Sequence, residues 1–148
     1  MSSRRTCLPA VVAAALVLLL SVLSGCGGDD APDAAPAPAD GLGTVTGAPD
    51  GVQEVTLQTQ DDYVFTPDRF TVDPGTVRLT VVNVAEQLTH NFKFTTDAGP
   101  EPIDASIPLL APGQEETVEF DVEAPGDHPF ECSFHTQLGQ VGTMTVRG

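Results

Sequence analysis

Two short segments of this chain carry the residues best suited to chemistry: Thr89-His90-Asn91-Phe92 and, towards the C-terminus, Cys132-Ser133-Phe134-His135. The chain has three histidines and three cysteines. Cys7 and Cys26 belong to an apolar N-terminal stretch and its end, so Cys132 has no partner for a disulfide inside the folded part. A lone thiol in an exported chain needs a reason. One thiolate and two imidazoles form the trigonal His₂Cys set that suits copper. The two-residue gap between Cys132 and His135 lets one tight loop aim both donors at a common point. His90 must arrive from another strand, which ties the site to the folded domain. Thiolate stabilises Cu(I), imidazole tolerates Cu(II), and a rigid trigonal site accommodates both, as one-electron exchange requires. His128 is read as an edge or surface histidine: at ~3.3 Å per residue its place upstream of Cys132 puts it about 13 Å from the thiol.

The elements that must position these donors read as β throughout. Val55, Leu57 and Thr59 alternate with Glu54, Thr56 and Gln58. Phe70 and Val72, then Val77, Leu79 and Val81, then Phe92 and Phe94, then Val118, Phe120 and Val122 show the same period of two. Asp73-Pro74-Gly75 and Ala124-Pro125-Gly126 are turn signals. Phe130 leads into Cys132, and Met144 and Val146 close the chain. No stretch sustains a helical repeat. Residues 97–112, rich in proline and without clear alternation, read as a long loop with room for one short helix. About seven short strands separated by turns predict an all-β fold, a single-domain antiparallel Greek-key sandwich.

The N-terminus reads differently. Arg4 and Arg5 precede an apolar run from Leu8 to Leu23, shorter than the ~18 residues of a membrane-spanning helix. A charged start, a short apolar core and small residues before a cut site describe an export signal over residues 1–25. Leu23-Ser24-Gly25-Cys26 resembles a bacterial lipobox, which implies cleavage before Cys26 and lipid on its thiol and new amino group. Ser3-Arg4-Arg5 is partly similar to a twin-arginine signal, so the export route stays open between that and the general one. Residues 26–50, mostly Gly, Ala, Pro and Asp, read as the lipidated Cys and a flexible tether with a reach of ~25 Å. The folded domain is placed at 51–148. The expected location is the bacterial cell envelope, on the outer side of the cytoplasmic membrane.

Charge limits the partners. Loss of Arg4 and Arg5, with no acid, takes the formal net charge from −15 to −17. Such a surface repels nucleic acid and anionic lipid and suits a redox protein with a basic docking surface, met under electrostatic steering. The same charge also serves plain solubility or a salt-rich habitat. The expected oligomeric state is a monomer, with membrane contact through the lipid.

With both segments in view, the chain resembles the cupredoxins, and within them the plastocyanin-like group. Tyr63-Val64-Phe65-Thr66-Pro67, Phe70-Thr71-Val72, Pro74-Gly75, Val81-Val82-Asn83 and His90-Asn91 are similar to the family's N-terminal half. Leu110-Ala111-Pro112-Gly113, Phe120, Pro125-Gly126, Phe130, Cys132, His135 and Gly142 are similar to its C-terminal half. The resemblance implies one type 1 copper ion, with His90 and His135 ligating through Nδ1 and Cys132 through its thiolate. It departs at one place. The family usually sets an axial Met two residues before the glycine, where this chain has Gln140. Gln140 is the expected axial ligand; Met144, Gln137 and an empty axial position are its rivals. Met144, on one face with Val146, reads as core packing. Asn91 is expected to tie the His90 loop to the segment at Ser133, supporting the ligands from behind. Phe134, between two ligands, either shields the site or faces a partner.

The expected function is an electron carrier rather than an enzyme, since copper oxidases and reductases need further histidine-rich sites and only His128 is left over. The alternative is a copper-binding module for buffering or delivery. Delivery sites are usually open and Met-rich, and this chain has two methionines, one the initiator.

Overall fold

The computed structural model describes residues 41–148. The expected export signal, Cys26 and the first part of the expected tether lie outside the described residues. Among the described residues, ten strands form two sheets. The first contains β1 (Thr46–Gly47), β2 (Gln53–Thr59), β5 (Gly75–Asn83) and β8 (Glu115–Val122) in that order, with β3 (Phe65–Thr66) also on β2. The second runs β4 (Arg69–Val72), β10 (Val141–Val146), β9 (Gly126–Glu131), β6 (His90–Phe94), β7 (Ser106–Leu110). The alternation foreseen in the sequence sets which side chains face inward. Val55, Leu57, Val77, Leu79, Val81, Phe120 and Val122 of the first sheet bury against Phe70, Val72, Phe92, Phe94, Met144 and Val146 of the second. Phe130 sits at the centre, its ring centroid 5.3 Å from Phe65, 5.8 Å from Phe70 and 5.2 Å from Phe92. Met144 is fully buried in this core, the packing role its position indicated.

The structure differs from the sequence reading in four respects. Two strand pairs, β2 with β5 and β4 with β10, are parallel, so the sandwich is mixed rather than purely antiparallel. Period-two alternation records which face is buried and is indifferent to the direction of the neighbour. Residues 97–112 include the strand β7 and no helix. Ile107 and Leu110 anchor β7 by burial, and Pro108 is tolerated because β7 lies at a sheet edge. Part of the expected tether belongs to the domain: Thr46 and Gly47 pair with β2, and Gly43 donates its N–H to the Thr56 carbonyl. His128 is buried, not at an edge or surface. It shares the inward face of β9 with Phe130, β9 lies between β10 and β6, and its Nε2–H reaches the Ala124 carbonyl at 3.0 Å.

Candidate metal centre

Four residues from two segments converge at one end of the sandwich. His90 opens β6; Cys132 follows the last residue of β9; His135 and Gln140 bracket the short 3₁₀ turn Thr136–Leu138 that leads into β10. The β9–β10 connection is closed on itself. Cys132 N–H donates to the Gln140 carbonyl (3.1 Å), and the Cys132 carbonyl accepts from His135 N–H (3.0 Å) and Thr136 Oγ1 (2.9 Å). Gly139, at φ +93°, supplies the left-handed turn that sends Gln140 back inward. Two residues on, a side chain at Gly142 would strike the Phe130 ring and the Asp68 carbonyl, so only glycine lets β10 start this close to the core.

The donor atoms meet at one point. His90 Nδ1 and His135 Nδ1 are 3.3 Å apart, and Cys132 Sγ lies 4.0 Å from the first and 3.5 Å from the second. Gln140 Oε1 is 2.8 Å from His90 Nδ1 and 3.1 Å from His135 Nδ1. His90, Cys132 and Gln140 are fully buried, while His135 is half-buried. Burial pushes the His90 imidazole below its ordinary range, and the hydrogen bond to Gln140 opposes this. Of the other two axial candidates, Met144 is in the core and Gln137 is exposed.

A shell of hydrogen bonds holds the donors. The β6 register shifts between His90 and Phe92, and there Asn91 N–H points at Cys132 Sγ at 3.4 Å. Asn91 Nδ2 donates to Ser133 Oγ and Asn91 Oδ1 accepts from Ser133 N–H, both at 2.7 Å, the tie expected between the two ligand segments. Behind the loop that delivers His90, buried Asn83 donates to the carbonyls of Leu88 and Leu110 and accepts from Ala85 N–H. Asp61 accepts from the N–H groups of Glu86, Gln87 and Leu88, and the first of these bonds does most to hold its carboxyl below the usual range. Tyr63, at φ +58°, sets its ring edge-on to His135 at 5.0 Å. Phe134 is 51% exposed and Leu138 59%, so both face outward beside His135.

Residues 52–147 match the copper binding proteins of the plastocyanin/azurin family. The chain belongs to that family. It is 34% identical over 92 residues to plastocyanin from Nostoc punctiforme, covering 57% of this chain and 65% of that one. It is 36% identical over 101 residues to plastocyanin from Vicia faba, covering 63% of this chain and 98% of the other. This chain spans less than two thirds of the length of the Nostoc protein and of the Arabidopsis thaliana plastocyanin minor isoform, where it covers 57%. Among solved structures, reduced auracyanin from Roseiflexus castenholzii superposes with a TM-score of 0.56 at 27% identity, covering 64% of this chain and 97% of that one.

The cofactor of this plastocyanin/azurin family member is one type 1 copper ion, and the donors fit it. Three donors in a plane, each 2.0–2.3 Å from an ion, stand about 3.5–4 Å apart; those of His90, Cys132 and His135 are 3.3 to 4.0 Å apart. Thr59, Asp61, Tyr63 and Asn83 support the site, and the sequence alone assigns none of them a part in it. Their contacts span loops distant along the chain, and nothing in their local spacing signals them.

Proposed function

We propose that the protein is an exported, membrane-tethered carrier that passes single electrons between redox proteins, with His90, Cys132 and His135 as copper ligands and Gln140 as the axial ligand. The convergence of the four donor atoms, already gathered in the folded chain, is the observation that carries this reading. Copper bound there supplies a Cu(II)/Cu(I) couple. The chain's own residues do the rest. Asn91 N–H supports the thiolate sulfur, and the Asn91–Ser133 pair fixes the distance between ligand segments. Such pre-organisation keeps ligand movement small when the charge changes. Burial of His90 and Cys132 keeps water away, while half-buried His135, flanked by exposed Phe134 and Leu138, offers the route to a partner. For the axial position, Gln140 Oε1, 2.8 Å from His90 Nδ1 and 3.1 Å from His135 Nδ1, would be the further donor to copper, which supports that assignment. The lipobox-like segment ending at Cys26 supports export and tethering.

Copper-loaded protein is expected to absorb intensely in the visible through thiolate-to-Cu(II) charge transfer. Cys132→Ser should abolish the colour and leave the fold. Cyclic voltammetry should show one reversible one-electron wave, with fast electron self-exchange measured by NMR line broadening. A coloured Cys132→Ser protein would overturn the copper-thiolate site. Slow exchange together with ready loss of copper to a chelator would replace the carrier with a copper-handling module.

A further inference from the structure

The amide of Gln140 turns Oε1 towards the metal position, and something must hold it at that angle. The far end of the side chain answers this. Gln140 Nε2 donates to Thr59 Oγ1 at 2.6 Å, and both residues are fully buried. Thr59 is the last residue of β2, in the first sheet, whereas Gln140 immediately precedes β10 in the second. The bond therefore crosses between sheets and joins residues 81 positions apart in the chain. Thr59 is itself anchored: it pairs with Asn83 across the β2–β5 ladder and Phe65 across β2–β3, and its carbonyl accepts from Val84 N–H at 2.9 Å. The bond holds the amide in place while Oε1 faces His90 and His135.

We infer that Thr59 is the positioning residue for the axial amide: its hydroxyl, held on the opposite sheet, takes the Nε2 hydrogen of Gln140 and keeps the oxygen turned towards copper. The inference rests on the reading of Gln140 as axial ligand. Valine matches threonine in shape but cannot accept a hydrogen bond. In Thr59→Val the amide loses its buried acceptor and is free to rotate away from the axial direction. A weaker axial oxygen favours Cu(II) less.

The test is a double-mutant cycle on the copper-loaded full chain, read by reduction potential and by electron paramagnetic resonance. Thr59→Val should raise the potential in the same direction as Gln140→Met, but by less, and alter the Cu(II) spectrum. Thr59→Ser should restore both. In the Gln140→Met background, Thr59→Val should leave the potential where Gln140→Met alone puts it. An independent readout needs no metal: in metal-free protein the Gln140 side-chain NH₂ should exchange slowly with solvent, and at least tenfold faster in Thr59→Val. If Gln140→Met shifts the potential but Thr59→Val does not, or shifts it equally in both backgrounds, the role of Thr59 is overturned and the axial ligand stands. If Gln140→Met is itself silent, both readings fall.

Discussion

Gln140 and Met144 lie a few residues apart in the C-terminal segment, and their surroundings give them opposite tasks. The amide of Gln140 reaches the two ligand imidazoles, while Met144 packs in the core and shares the β10–β9 register with His128. An amide oxygen is harder than a thioether sulfur and favours Cu(II) over Cu(I). Gln140→Met is therefore expected to raise the reduction potential and move the visible spectrum towards that of an axial-thioether site. Met144→Leu should do neither, and should cost less than ~1.5 kcal/mol in denaturant unfolding, as a volume-conserving core exchange does. A spectral change on Met144→Leu with none on Gln140→Met would show that the ligand loop has been wrongly assigned.

At the scale of the elements, the site depends on how the loop before β6 is held. Asp61 gathers the N–H groups of Glu86, Gln87 and Leu88, just ahead of His90, and these bonds favour its ionised form. Glu101 does the same for Glu123 and Ala124 at the far turn. Both carboxyls titrate lower in the folded protein than in the unfolded chain. Their stabilising contribution is complete above the unfolded values, about pH 4, and is lost as pH falls through the folded ones. The unfolding midpoint of metal-free protein should thus drop below about pH 4. Asp61→Asn should lower the midpoint at neutral pH and flatten the acid limb, leaving the Glu101 share. An acid limb unchanged by Asp61→Asn would remove Asp61 as a loop clamp.

At the scale of the molecule, no acidic side chain is buried among the described residues. Several of the described cations are already engaged: Arg78 with Asp50, Glu54 and Glu119, Lys93 with Glu131, and Arg147 with Asp73. A net charge of −15 on the full chain then acts as a long-range field. Electron exchange with a basic redox protein should slow as salt rises, whereas exchange with a neutral small reductant should not. Equal salt dependence for both would leave the charge to solubility. Native protein should partition with membranes and Cys26→Ala should not; a soluble native protein that begins at another residue would rule out the lipid anchor.

The donor set was legible in the sequence because its chemistry is local: two residues between Cys132 and His135 suit one loop, and His90 stands at the head of an alternating strand. The core was legible for the same reason, since a period of two states which side chains turn inward. Alternation also contained the burial of His128, which keeps step with Phe130 along β9 and with Cys132 just beyond it. Which strands neighbour one another was not legible. The parallel pairs β2–β5 and β4–β10 join strands that the chain reaches only after crossing between the sheets, and no residue pattern within a strand encodes a partner elsewhere. The same holds for Thr59, Asp61, Tyr63 and Asn83. Each acts on a ligand or its loop through contacts made only once distant segments are brought together, so the tertiary structure alone decided their roles, and with them the orientation of Gln140.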